Sequence, residues 1–216
     1  MTRQDPPTPD VAPSFSLEAL RRAYDGDASY RDGLDDLQWR TGVIERWLGE
    51  LPPSPRLLEL GPGTGQLAAF ATGLGARVFA IELSPENVAR CRRRGIGAQV
   101  GDLRAVGEMA ELGTFDGVYA INSLLHVPRA QHAAVIAGIR RRLEPGGSLL
   151  LVSWGGVERD GIWEQDRCAP PRYFSQYDDA AFLALEFEGF EVLRRELIAD
   201  QAPDGQHPQL LVLRKT

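Results

Sequence analysis

The amino-acid sequence predicts an α/β fold, a mostly parallel sheet with helices on both faces, and three observations carry that prediction. From Arg56 onward, short apolar runs alternate with stretches of helical periodicity. Within the runs Leu57-Leu58 and Leu149-Leu150-Leu151-Val152, apolar residues are consecutive rather than alternating, as strands buried on both faces require. Glycine and proline punctuate the joins, with three glycines at alternate positions after the first run. With 216 residues, 43% of them hydrophobic and 25% charged, the chain has the composition and length of one globular domain.

Residues 1–14 carry Pro6, Pro7, Pro9 and Pro13 among polar residues and are expected to form a disordered tail. Residues 15–55 read as an N-terminal helical cap. One helix is expected over about Phe15–Tyr24 and another over about Leu34–Leu51, stopped by Pro52, Pro53 and Pro55. The main domain is expected over 56–216. Arg56–Leu60 reads as its first strand and Thr64–Leu74 as a helix ended by Gly75. Arg77–Ile81 is the second strand. Ser84 then caps a helix with Pro85 at its first position, running to Gly95. Ala98–Val100 and Phe115–Ile121 are the third and fourth strands. Pro128 opens a helix that aligns Val135, Ile136, Ile139 and Leu143 on one face. After the turn Pro145-Gly146-Gly147 comes a fifth strand, Ser148–Ser153. A helix over Asp179–Phe187 precedes two final strands, Phe190–Ile198 and Gln209–Arg214, and Asp204-Gly205 between them signals a hairpin turn.

Composition narrows the function. The net charge is −6, which opposes a large nucleic-acid partner, because such binding draws on Lys and Arg neutralising phosphates. Arg92-Arg93-Arg94 and Arg140-Arg141-Arg142 sit where two helices end, and cations there complement the helix dipole; solvated helix ends are expected. No run approaches the ~20 apolar residues of a membrane span, and no secretory signal is legible. Cys91 and Cys168 are too few and too far apart for a disulfide framework or a metal site. The expectation is a cytoplasmic protein with reduced thiols, without metal, membrane or nucleic acid, as a monomer or homodimer.

The chemistry concentrates at Glu59-Leu60-Gly61-Pro62-Gly63-Thr64-Gly65. A buried strand enters three alternate glycines and then a helix, so backbone can approach a ligand closely beside unpaired N–H groups of the helix start. A tight turn with no ligand is the bland alternative. Glu82 ends the second strand 17 residues beyond Gly65, where a carboxylate can accept hydrogen bonds from ribose hydroxyls. Gly101-Asp102-Leu103 follows the third strand, and its carboxylate could reach the exocyclic amine of a base. The spacing is G-x-G-x-G, unlike the G-x-G-x-x-G of dinucleotide folds.

These motifs resemble those of the class I S-adenosylmethionine-dependent methyltransferases, from about Leu57 to the C-terminus. The resemblance implies a Rossmann-like three-layer sandwich whose seven-stranded sheet has its last strand antiparallel. It implies S-adenosylmethionine as cofactor and S-adenosylhomocysteine as product. Glu59, Gly61, Gly63 and Gly65 would then hold the methionine part, Glu82 with Leu83 the ribose, and Asp102 with Leu103 the adenine. The stretch Asn122-Ser123-Leu124-Leu125-His126-Val127-Pro128, followed by Leu143-Glu144-Pro145-Gly146-Gly147, is similar to motifs of small bacterial members, which adds Asn122 to the cofactor residues. Tyr24 and Tyr30 resemble a paired-tyrosine feature whose second member contacts the cofactor's carboxylate, although the spacing here is one residue shorter.

Methyl transfer to an oxygen or nitrogen of a small-molecule acceptor is the expected reaction. His126, just past the fourth strand, is the candidate catalytic base or acceptor contact; the other reading is a residue that packs under the loop. His132 and His207 are expected to be solvated. The segment Trp154–Tyr177 lacks periodicity but is rich in aromatics, and is read as a substrate wall with Trp154, Arg167, Arg172 and Tyr173 in it. Rival readings are a protein methyltransferase and a non-methylating member, a cyclase or binding module. An amino-type nucleic-acid methyltransferase would carry Asn/Asp-Pro-Pro-aromatic where Asn122-Ser123-Leu124-Leu125 stands.

Overall fold

The structure, a computed structural model, describes residues 14–33, 38–198 and 205–216. Residues 1–13 of the expected tail lie outside the described residues, as do residues 34–37 and Asp204 of the expected turn.

Nine strands and six α-helices follow in order among the described residues: α1 (Leu17–Asp32), α2 (Gln38–Leu48), β1 (Arg56–Leu60), α3 (Gln66–Gly73), β2 (Arg77–Glu82), α4 (Pro85–Arg93), β3 (Gly97–Val100), β4 (Phe115–Ile121), α5 (His132–Arg142), β5 (Leu143–Gly155), β6 (Arg159–Ile162), β7 (Tyr173–Gln176), α6 (Asp179–Leu183), β8 (Phe190–Leu197) and β9 (His207–Lys215). Seven of the strands form one sheet in the order β3-β2-β1-β4-β5-β9-β8. β1 through β5 pair in parallel, and β9 runs antiparallel to both β5 and β8. This is the Rossmann-like sheet expected from the sequence, closed by the hairpin of the last two strands.

Alternation along each strand feeds two cores. Leu58, Val118, Leu149 and Leu211 point to the face covered by α5 through Val135, Ile136 and Ile139. Leu57, Tyr119, Leu150 and Val212 point to the opposite face, covered by α2 through Val43, Ile44 and Trp47 and by α3 through Leu67 and Ala71. Trp47 is fully buried, and its Nε1 donates to Ser148 Oγ at 2.8 Å. Gly117 makes room for it, since a Cβ there would lie 2.7 Å from the indole.

Two expectations differ from the structure. The first helix does not stop near Tyr24 but continues to Asp32, because Asp27, four residues before Arg31, accepts from its guanidinium at 2.6 Å. The Trp154–Tyr177 stretch contains a two-stranded antiparallel sheet of β6 and β7, with Arg159 opposite Gln176 and Ile162 opposite Tyr173. The sheet order reverses beside β1, whose neighbours are β2 and β4, so the carboxyl ends of these strands open a crevice of the kind that holds ligands in such folds.

Candidate active site

A cavity of about 670 Å³ occupies that crevice. The turn after β1 forms one wall. Gly61, Gly63 and Gly65 all take positive φ, at 73°, 56° and 83°. Their surroundings differ. A Cβ at Gly61 would lie 2.5 Å from Ser123 Cβ, and one at Gly65 would lie 2.8 Å from Cys91 Sγ. A Cβ at Gly63 would meet nothing within 4 Å, and Gly63 lines the cavity. The outer two glycines therefore serve packing, and the middle one leaves space for a ligand.

Two carboxyls lie beneath this turn. Glu82 is 5% exposed; it accepts Gly63 N–H at 2.9 Å and Ser84 N–H at 2.8 Å. Burial pushes its carboxyl up to about 7 despite those donors. Glu59 is 2% exposed and accepts from Tyr119 Oη at 2.9 Å. Burial pushes it up to about 8, with the Glu82 charge adding to the shift. Asp102 caps the turn after β3, accepting Arg104 N–H at 2.9 Å and Arg104 Nε at 2.8 Å. Asn122 follows β4 directly at a φ of 57°, and its Oδ1 accepts Trp154 N–H at 3.1 Å. A non-glycine residue in this region is uncommon, and such strain clusters at ligand sites.

His126 is 5% exposed and lines the same cavity. Its Nδ1 lies 2.7 Å from the Tyr173 carbonyl and its Nε2 2.6 Å from Tyr24 Oη. Burial pulls the imidazole down to about 3, and the nearby Arg172 charge acts in the same direction. Arg172 is itself buried; Nε and Nη2 donate to Asp166 at 2.7 and 2.8 Å, and Nη1 to Tyr24 Oη at 3.2 Å. Phe174, Trp163 and Trp154 complete the aromatic side of the cavity.

The structure thus brings Glu59, Gly61, Gly63, Glu82 and Leu83 to one cavity with Asp102, Leu103, Asn122, His126 and Trp154. Gly65, Tyr30, Arg167 and Tyr173 are not among its lining residues. Tyr30 is 57% exposed and lies under the Arg167 guanidinium, 4.2 Å from ring centroid to Cζ. Arg167 pairs with Asp27 at 2.6 Å, and the Tyr173 hydroxyl donates to Asp160 at 2.7 Å. Tyr173 meets the site only through its backbone carbonyl. Lining residues that the sequence reading did not select include Tyr24, Arg31, Phe174 and Gln176. Tyr24 and Arg31 were findable: with Leu17 and Leu20 they recur at helical spacing along one face of α1. His132 and His207 are not solvated as expected. His132 contacts the Val127 carbonyl at 2.9 Å, and His207 contacts Asp179 at 2.8 Å.

The residues fit a small ligand rich in hydrogen-bond donors, such as the hydroxyls of S-adenosylmethionine, better than a phosphate. Two buried carboxyls sit under open space at Gly63, and the cavity volume lies within the roughly 300–1,000 Å³ of small-molecule sites.

Comparison with known proteins agrees with this geometry. Residues 58–151 match a family described as a methyltransferase domain. Over 101 residues the chain is 38% identical to a ubiquinone biosynthesis O-methyltransferase of Xanthomonas oryzae pv. oryzae, covering 44% of this chain and 41% of that protein. The chain therefore matches well under two thirds of that relative's length. Among solved structures, the 1,6-didemethyltoxoflavin-N1-methyltransferase of Burkholderia thailandensis, with 1,6-didemethyltoxoflavin and S-adenosylhomocysteine bound, aligns at a TM-score of 0.66 and 21% identity. That alignment covers 95% of this chain and 92% of the other. The [4+2]-cyclase SpnF aligns at a TM-score of 0.69 and 20% identity, covering 95% and 97%. At such identities the likeness establishes the fold. Among the described residues, no helix is long and apolar enough to cross a membrane.

Proposed function

We propose that the chain, whose residues 58–151 match a methyltransferase domain, is a class I S-adenosylmethionine-dependent methyltransferase that transfers a methyl group from S-adenosylmethionine to an oxygen or nitrogen of a small-molecule acceptor by in-line displacement, releasing S-adenosylhomocysteine. The observation that carries this reading is one cavity joining the open turn at Gly63, two buried carboxyls and an aromatic chamber. The cofactor supplies an electrophilic methyl on a sulfonium. Glu82 and Leu83 would hold its ribose, Asp102 and Leu103 its adenine, and Glu59, Gly61, Gly63 and Asn122 its methionine part. Arg31 lines the cavity and takes over the carboxylate contact first expected of Tyr30.

What remains for the chain is to orient the acceptor and exclude water. Alignment of this kind can supply ~7–11 kcal/mol, more than the roughly 10²–10⁴-fold typical of a positioned base. Trp154, Trp163 and Phe174 exclude water. His126, the candidate base or acceptor contact expected from the sequence, has both ring nitrogens engaged, at the Tyr173 carbonyl and the Tyr24 hydroxyl, and would act on an acceptor only through Tyr24. The aromatic side of a cavity of about 670 Å³ suits a small acceptor rather than a polymer, and the charge of −6 disfavours nucleic acid. A cytoplasmic enzyme, monomeric or homodimeric, fits this reading.

The test is product analysis. Incubating the protein with S-adenosylmethionine and a panel of phenols, alcohols and amines should yield a methylated acceptor and an equal amount of S-adenosylhomocysteine. The likeness to a [4+2]-cyclase keeps a second reading in view, that of a non-methylating member. Tight S-adenosylhomocysteine binding by calorimetry, with no turnover on any acceptor, selects that reading. Preferential binding of NAD overturns both.

A further inference from the structure

We propose that Tyr24 is the residue that meets the acceptor, presenting to the cavity a phenol oxygen that can only accept a hydrogen bond, and that His126 is a positioning residue that keeps it so. This rests on the reading of the cavity as an acceptor site.

The proposal follows from counting hydrogens. A carbonyl only accepts, so the 2.7 Å contact between His126 Nδ1 and Tyr173 O places the imidazole proton on Nδ1. Nε2 is then a bare lone pair. The 2.6 Å contact between Nε2 and Tyr24 Oη must therefore have the phenol as donor. Tyr24 has one hydroxyl hydrogen, and this contact uses it. Arg172 also donates to the same oxygen, at 3.2 Å. Its guanidinium is fixed by the paired contacts to Asp166 at 2.7 and 2.8 Å, with Arg172 N–H on the same carboxylate at 3.0 Å. Tyr24, His126 and Arg172 all line the cavity. Tyr24 therefore has no hydrogen left to donate, and the remaining acceptor capacity of its oxygen is what it can offer to the cavity it lines.

The arrangement is durable. The charged groups around the imidazole are Arg172, Arg31 and Asp166, and burial together with Arg172 keeps the ring neutral. A neutral ring with Nδ1 committed to a carbonyl holds one tautomer across the physiological range. An acceptor that brings an O–H or N–H satisfies Tyr24 by donating that hydrogen to its oxygen. An ether or tertiary amine leaves the Tyr24 oxygen facing an apolar group, and discrimination against a missing donor is strong in such sites. The acceptor class is therefore aromatic-walled molecules with a protonated nucleophile.

Two measurements test this, and the first needs no acceptor. Histidine ¹⁵N spectra, assigned with His132→Gln and His207→Gln, should show His126 as the Nδ1–H tautomer, unchanged from about pH 5 to 9. An Nε2–H tautomer, or titration near neutrality, overturns the proposal. In the second, protein saturated with S-adenosylhomocysteine is titrated with phenol and with anisole, which lack and carry the blocking methyl. Wild type should bind phenol about tenfold more tightly, the value of one hydrogen bond. Tyr24→Phe should bind the two alike while keeping its S-adenosylhomocysteine affinity. His126→Gln, whose side-chain carbonyl can still accept from Tyr24, should restore the preference that His126→Leu loses. Equal binding of the probes by wild type, or no binding of phenol, overturns the proposal. A chain that passes both measurements yet forms no methylated product would instead remove the methyl-transfer reading.

Discussion

At Gly63 a positive φ coincides with empty space above the Cα, and that coincidence separates a cavity-facing glycine from its packed neighbours Gly61 and Gly65. Gly63→Val would strain the backbone and project two methyls into the cavity. S-adenosylhomocysteine binding by calorimetry should be lost, and the melting temperature should fall modestly from the backbone strain alone, since no protein atom lies within 4 Å of the new Cβ. Glu82 has a double duty that the sequence did not reveal. It accepts two backbone N–H groups, from Gly63 and Ser84, besides facing the cavity. Glu82→Ala should weaken S-adenosylhomocysteine binding by about ten- to a hundred-fold, the value of a hydrogen bond to a charged group. It should also lower thermal stability, because two N–H groups lose their acceptor at about 1–3 kcal/mol for each one left unsatisfied. Unchanged melting with weakened binding would show that the loop reorganises around the loss.

Helix α1 is held by side chains that lie far apart in sequence. Asp27, buried, accepts from Arg31 at 2.6 Å and from Arg167 at 2.6 and 2.8 Å, and Ser84 Oγ donates to Asp25 at 2.6 Å. This places Tyr24 and Arg31 at the cavity and ties the helix to the segment before β7. Asp27→Ala should therefore loosen α1 selectively. Amide exchange should accelerate over Leu17–Asp32, with a local loss of about 1–2 kcal/mol, discounted because Arg167 is partly exposed. Uniform exchange in the strands would confirm that the effect is confined to the helix, and an unaltered α1 would refute the assignment. The arginine clusters act in the same manner. They sit in the last turns of α4 and α5, as expected, but they are not merely solvated. Arg92 donates to the Ala98 carbonyl and Arg141 to the Gly107 carbonyl, so the first ties the end of α4 to β3 and the second ties the end of α5 to the helical turn after β3.

For the whole molecule, the buried carboxyls set a pH dependence of stability. Glu59 and Glu82 titrate in the fold at about 8 and about 7, against an ordinary value of 4.5. Between these limits the folded chain holds protons that the unfolded chain has released, so these groups make stability fall as pH rises. His126 and His132, held neutral by burial, act in the opposite sense below about pH 6.5, where the unfolded histidines gain protons. The two trends offset each other in mild acid. From about pH 6.5 to 8 the carboxyls act alone, and stability should fall by about 1.4 kcal/mol per pH unit for each carboxyl still protonated. Glu59→Gln keeps an acceptor for Tyr119 and removes its titration, so denaturant unfolding of this variant should lose most of the slope between pH 7 and 8, the remainder coming from Glu82. A slope equal to that of wild type would contradict the assignment of Glu59.

The sequence by itself determined the sheet and its ligand-facing edge. β1 and β4 begin and end where expected, because parallel strands buried on both faces appear as unbroken apolar runs, and Ser84-Pro85 announced α4 through local capping chemistry. The glycine turn, Glu82 and Asp102 were legible for the same reason: each follows a strand end, and the fold places strand ends together. Tertiary structure alone decided the rest. The first helix was expected to end near Tyr24, yet α1 continues to Asp32, where Asp27 accepts from Arg31 four residues on and from Arg167, 140 residues away. The β6–β7 sheet shows no alternation, since its strands are four residues long and depend on each other for pairing. His126 was visible as a residue, but its tautomer depends on the Tyr173 carbonyl and its lone pair on Tyr24. Hydrogen-bond direction is a property of partners brought together in space, and local sequence carries no record of it.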